Sequence, residues 1–136
     1  LAIEEGVLVW TIFVDLYAMN HDGNLFDASS IAALAALMEA RIPKLEDKKI
    51  VKGEYSKKLK LSSSPLLCTI AKVGNAIICD PLLEEEKVMD ARISIGTTDE
   101  TICAMQKGGH GSFSLEEINS AVDLAFKNTK RVRKLL

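Results

Sequence analysis

An α+β fold is predicted, with a mixed sheet packed on two main helices and one short helix. Three features predict it. An apolar stretch with period-two alternation runs from Val7 to Ala18. An alanine-rich amphipathic stretch follows it and stops near Pro43. Two strand pairs then bracket a short helix, and a helix with a basic end closes the chain.

Each element has a local cause. Leu8, Trp10, Ile12, Val14, Leu16 and Ala18 occupy alternate positions, so one face of a long, central strand is apolar. Asp22-Gly23-Asn24 is a turn signal, and Asp27, Ser29 or Ser30 can cap the next helix. Ile31, Leu34, Ala35 and Met38 fall at i, i+3, i+4 and i+7, one buried stripe. Ala32, Ala33 and Ala36 keep its other faces slim. Lys44 to Lys60 is lysine-rich and reads as a solvated connector with short edge strands at Ile50–Glu54 and Leu59–Leu61.

Leu66–Val73 and Ala76–Cys79 form a hairpin around Gly74-Asn75. Asp80 caps a short helix with Pro81 at its first position, and Glu84, Glu85 and Glu86 suit the positive end of its dipole. Arg92–Ile95 and Thr101–Met105 form a second hairpin. Lys107 to Gly111 is a glycine-rich turn that lets two layers approach. Ser114 and Glu117 make a capping box, with Phe113 and Ile118 placed as a hydrophobic staple. Ile118, Ala121, Val122, Ala125, Val132 and Leu135 give the buried face of the last helix, whose basic end suits its dipole.

Composition narrows the function classes. The chain has 136 residues with 48% hydrophobic content, enough for one compact core built mostly from aliphatic side chains, since aromatics are only 5%. A formal net charge of −2 argues against bulk attraction to nucleic acid, while leaving room for a local basic groove. No apolar run reaches the roughly 20 residues of a membrane-spanning helix. Cys68, Cys79 and Cys103 read as reduced core thiols of a cytoplasmic protein, with a Cys68–Cys79 disulfide the less favoured option. His21 and His110 are isolated, so no metal site and no cofactor are expected.

The junction from Met19 to Ala28 joins strand to helix, where free N–H groups and the helix dipole favour an anion. Yet it carries Asp22, Leu25, Phe26 and Asp27 and no Arg or Lys. Asp22 reads mainly as a turn residue, His21 as a partly exposed turn residue, and Phe26 as a plug rather than a base-stacking platform. The lysines of the connector are a solvated face first and the basic helix end is a dipole partner first, with RNA contact second for both.

The run from Gly6 to Leu37, the segment Asp80 to Asp90 and the segment Met105 to Ser114 together resemble the ribonuclease PH-fold subunits of the RNA exosome. The resemblance is greatest to the non-catalytic ring subunits of the archaeal complex. It implies a ribonuclease PH-like fold of the ribosomal protein S5 domain 2 type. It also implies that residues 1–136 are the C-terminal part of such a chain, with the N-terminal part absent. The implied partners are a catalytic paralogue, in a six-membered ring of three heterodimers, RNA-binding cap subunits, and RNA, with no membrane. RNA threads such rings and is degraded from its 3′ end by inorganic phosphate.

Two departures from the active pattern set the functional expectation. Active relatives read Asp-Gly-Gly-Thr-Arg-Thr-Ala at the turn, and its Gly, Thr and Arg hold phosphate. Aligned on Asp22-Gly23, this chain has Asn24, Leu25, Phe26 and Asp27, so the arginine fork is replaced by a phenyl ring. Active relatives also place an aspartate two residues before Pro65, thought to act as general acid or in metal binding, and here that position is Ser63. No catalytic residue is therefore assigned. The other readings are an active phosphate-dependent 3′-to-5′ exoribonuclease and a stand-alone α+β binding domain.

Overall fold

A computed structural model describes all residues from Leu1 to Leu136. Three antiparallel sheets and three helices follow one another along the chain. Strands β1 (Ala2–Glu4) and β2 (Leu8–Val9) form a small pair, and β3 (Arg41–Glu46) and β4 (Lys49–Lys58) a long hairpin. Between these pairs lies helix α1 (Leu25–Glu39). The central sheet has order β6-β5-β7-β8, from β5 (Leu66–Val73), β6 (Ala76–Cys79), β7 (Ala91–Thr97) and β8 (Ile102–Gly109). Helix α2 (Leu83–Val88) joins β6 to β7, and α3 (Leu115–Arg133) ends the fold. The α+β architecture with two main helices and one short helix stands, and its ladders are antiparallel throughout.

Alternation along β5 and β7 explains the core. Register pairs Ile70 with Ile93 and Cys68 with Ile95, so these four side chains share one face. Against that face α3 presents Ala121 and Ala125, both fully buried. Small residues there let helix and sheet backbones approach closely. Burying each isoleucine contributes roughly 1.5–3 kcal/mol. The opposite face carries Thr69 and Ser94, and α1 meets the sheet there through Asp27. Buried polar groups are paired: Thr69 Oγ1 lies 2.8 Å from Ser94 Oγ, and Thr97 Oγ1 lies 2.7 Å from Thr129 Oγ1. No helix is long and apolar enough to cross a membrane.

Several expectations are corrected. Val7–Ala18 is not a long strand. Only Leu8–Val9 pairs, and Phe13 and Tyr17 stand 84% and 85% exposed. A strand needs a neighbour for its ladder, and no strand of this chain lies alongside residues 10–18. The connector is a long hairpin, not two short edge strands; helix α1 ends at Glu39, and Pro43 falls inside β3. The second hairpin of the central sheet extends to Gly109, so Lys107 and Gly108 belong to β8 rather than to a turn. Close approach does occur there: a Cβ on Gly109, at φ +80, would sit 2.7 Å from the Asp90 carbonyl oxygen. The 66–79 hairpin and the Ser114–Glu117 box match their expected positions.

Arg133 locks the end of α3 to the sheet. Its Nε donates to Ser64 O at 2.8 Å, and its Nη2 donates to Thr97 O at 2.6 Å and Thr98 O at 2.9 Å. Its side chain is 9% exposed, so these carbonyls have little access to water. Sequence reasoning gave this residue a dipole role first and an RNA contact second, and missed the carbonyls because they are distant in the chain.

At the other end of α3, Lys72 Nζ lies 2.7 Å from Glu117 Oε1 and donates to Ser112 O at 3.1 Å. The Lys72 ammonium, then the Ser114 backbone N–H, hold the Glu117 carboxyl below its ordinary value. A depressed carboxylate stabilises the fold above its ordinary pKa, and that stabilisation is lost as pH falls through the folded value.

Two predictions follow from these anchors. Arg133→Ala in the intact protein lowers urea-unfolding stability by roughly 2–4 kcal/mol, and Arg133→Lys recovers only part, since an ammonium cannot fork between the carbonyls. Glu117→Gln lowers the melting temperature at pH 7 and flattens its fall with acid below the ordinary value of 4.5. A melting curve whose acid limb is unchanged in the variant contradicts the second.

Candidate functional site

The site is the start of α1. Gly23, at φ +102, makes it possible: a Cβ there would lie 2.5 Å from the Pro81 carbonyl oxygen. The turn is thus pressed onto the segment before α2, and Leu83 N–H donates to Asp22 O at 3.2 Å. Asn24 follows in the left-handed region at φ 45, which asparagine tolerates better than most residues.

Asn24 is 5% exposed and uses its polar groups fully. Its backbone N–H donates to Glu86 Oε1 at 3.0 Å. Its Nδ2 donates to Asp27 Oδ2 at 2.9 Å and to Asp80 Oδ1 at 2.6 Å. Its Oδ1 accepts from Asp27 N–H at 3.4 Å, which caps the helix. Asp27 carries the contact into the sheet, accepting at 2.8 Å from both Thr69 N–H and Thr69 Oγ1. From Thr69 the chain of polar contacts runs through Ser94 Oγ to Arg92 Nη1, at 3.1 Å, and the Arg92 guanidinium lies 4.1 Å from the centroid of the Phe26 ring.

This arrangement decides what the helix start can bind. The N–H of Asn24 is taken by Glu86 and that of Asp27 by the Asn24 side chain. The carboxylates of Asp27, Asp80 and Glu86 surround the position, and they are the charges a helix N-terminus favours. A phosphate there meets three carboxylates, and the Asn24 and Asp27 N–H groups are already taken. The cradle is closed by the chain's own acids.

Asn24 is the cap, in place of the expected Asp27, Ser29 or Ser30. Leu25 is 37% exposed and Phe26 41%, with Phe26 under Arg92. Asp80 does not cap α2; its own backbone is left-handed at φ 60, and Leu82 takes the cap position with its N–H bound by Glu85 at 2.8 Å. His21 Nδ1 accepts from Gly23 N–H at 3.4 Å, and its Nε2 lies 4.0 Å from Glu86. Ser63 is not brought to this place. It is exposed and lines an apolar cavity of about 550 Å³ with Ser30, Leu34 and Leu67. Asn24 and Asp27 line a different cavity of about 810 Å³ with Asp80, Arg131 and Lys134.

Glu86, Asp80 and Thr69 are the residues that sequence reasoning missed. The acidic run at Glu84–Glu86 was legible only as a local dipole partner for α2. Its reach across to Asn24, 62 positions away, has no local signature.

Asn24→Gly keeps the positive φ and removes the amide. It is expected to cost roughly 1–2 kcal/mol of stability in the intact protein. Asn24→Ala costs more, because it adds backbone strain and also leaves Asp27 and Asp80 without their shared donor. Urea unfolding of both variants checks this; equal and negligible losses contradict it.

Residues 63–128 match a family described as "3' exoribonuclease family, domain 2", and residues 1–43 match "3' exoribonuclease family, domain 1". The chain is 48% identical to exosome complex component Rrp42 of Thermococcus gammatolerans, over 100% of this chain and 52% of that protein. It is 46% identical to the Rrp42 component of Methanothermobacter thermautotrophicus, over 97% of this chain and 50% of that one. The chain thus spans about half the length of these curated relatives. Among solved structures, a chain of the Archaeoglobus fulgidus exosome with RNA bound to the active site superposes with TM-score 0.75 at 33% identity, over 85% of this chain and 44% of that one. A chain of an archaeal exosome core superposes equally well, with TM-score 0.75 at 33% identity over 85% of this chain and 46% of the other. Fold, family matches and relatives agree, and the chain belongs to the ribonuclease PH-like 3′ exoribonuclease family.

Proposed function

We propose that residues 1–136 are the C-terminal part of a non-catalytic ring subunit of an exosome of the archaeal type. One observation carries the non-catalytic reading: Glu86 Oε1 sits 3.0 Å from the Asn24 N–H at the helix start, where active relatives hold phosphate. The sheet and helix faces then serve to build the ring and to wall the RNA path. A catalytic paralogue supplies the phosphate site, in a six-membered ring of three heterodimers with RNA-binding cap subunits. The reading places the complex in the cytoplasm. Its support is the 48% identity to an exosome component and the likeness to archaeal exosome cores.

Phosphorolysis needs two things at the reacting phosphodiester. Orthophosphate must be held in line for attack, and the leaving 3′ oxygen must receive a proton or metal support. The Phe26 side chain offers no donor for the first, where active relatives carry the arginine fork. Ser63, whose hydroxyl is a very weak acid, lines another cavity and offers little for the second. The alternative of an exoribonuclease active by itself requires an open cradle at α1, which Glu86 and Asp27 fill.

The test incubates the intact protein with a single-stranded RNA and orthophosphate, alone and mixed with the catalytic paralogue. Nucleoside diphosphates are expected only from the mixture. Phe26→Arg combined with Ser63→Asp is expected to leave the isolated protein inactive, since neither change removes Glu86 from the cradle. Phosphate-dependent nucleotide release by the isolated wild-type protein overturns the proposal.

A further inference from the structure

We propose that Cys79 is an oxidation site and that Cys68 resolves it, so that the two thiols form a reversible disulfide across the β5–β6 hairpin. Antiparallel register pairs Ile70 with Cys79, which places Cys68, two residues before Ile70, on the same sheet face and diagonal to Cys79. The two sulfurs stand 3.4 Å apart. Both are free thiols. A disulfide needs about 2.05 Å, so closure asks for a movement of little more than an ångström, within reach of rotation about the two Cα–Cβ bonds.

The two cysteines differ in ways that assign their roles. Cys79 is half-buried and lines the cavity of about 810 Å³, which gives a small oxidant a way in. Cys68 borders the same cavity but is 2% exposed and packed in the core cluster with Ile70, Ile95 and Ala121, so it is far less open to an oxidant than Cys79. Asn128, from α3, donates its Nδ2 hydrogen to Cys79 Sγ at 3.0 Å. Donors aimed at a sulfur favour its thiolate. The Cys68 thiol first, and the Asn128 amide as well, lower the Cys79 thiol to about 7, against burial and the opposing charges of Asp27 and Asp80. The same contact, and burial, push the Cys68 thiol up, so Cys68 is the proton donor of the pair.

The chemistry balances with hydrogen peroxide as oxidant. The Cys79 thiolate attacks one peroxide oxygen; an S–O bond forms, the O–O bond breaks, and hydroxide leaves. Sulfur gives up two electrons and peroxide accepts them. The Cys68 sulfur then attacks Cys79; the S–S bond forms, the S–O bond breaks, and the departing hydroxyl takes the Cys68 proton to leave as water. A dithiol reductant reverses the change. Oxidation lands beside the helix cap, because the residue after Cys79 is Asp80, whose carboxylate holds the Asn24 amide at 2.6 Å. Cys103, exposed on β8 and lining the other cavity, has no such neighbour.

The test exposes the intact native protein to a small excess of hydrogen peroxide at neutral pH. An alkylating agent is then added under denaturing conditions and peptides are mapped by mass. Expected is a Cys68–Cys79 cross-linked peptide that dithiothreitol removes, with Cys103 alkylated. Cys103→Ser retains the cross-link and Cys79→Ser abolishes it. In Cys68→Ser, a dimedone adduct is expected at Cys79. If that variant does not fold, the wild-type and Cys103→Ser maps decide alone. Alkylation of both Cys68 and Cys79 after peroxide treatment overturns the proposal, as does oxidation of Cys79 to sulfinic acid with no cross-link.

Discussion

Asn24 is the point on which the arrangement turns. One half-turn of backbone at positive φ sets its amide between two carboxylates, Asp27 and Asp80, and its N–H against a third, Glu86. Without that amide the two aspartates would face each other with no donor between them. With it, three distant pieces of chain meet: the α1 start, the end of β6 and the middle of α2. The same contacts bear on binding, because the positive end of a helix attracts negative charge and here the chain's own carboxylates supply it.

That cap also orients α1 on the sheet. Asp27 grips Thr69 by backbone and hydroxyl, and Thr69 passes the contact to Ser94 and Arg92. On the opposite face, Ala121 and Ala125 let α3 lie close to Ile70 and Ile95, and Arg133 ties its end to Ser64 and Thr97. Polar specificity on one face and apolar burial on the other hold the central sheet between its two helices. No buried side-chain nitrogen or oxygen lacks a partner, so little of the burial energy is lost to desolvation.

Local signals were legible and long-range ones were not. Strand alternation with a Gly-Asn turn located the β5–β6 hairpin to the residue, and Ser114 with Glu117 located the start of α3. A phenyl ring at Phe26 in place of the arginine of active relatives could be read from resemblance alone. The carboxylates around Asn24 could not be read, since Glu86 and Asp80 act across more than fifty positions. Val7–Ala18 misled because alternation reports a face to be buried and says nothing about which strand will pair with it. Thr129 escaped the buried-face pattern of α3 because its hydroxyl is satisfied by Thr97 and by Ala125 O, which makes a polar residue acceptable inside.

The contacts of Asn24 imply a helix start occupied by the chain's own acids. A crystal structure of the intact protein grown in a high concentration of orthophosphate tests it most directly. Glu86 is expected still on the Asn24 N–H, with no phosphate density at the start of α1. Phosphate seated there with the Glu86 carboxylate displaced would contradict it.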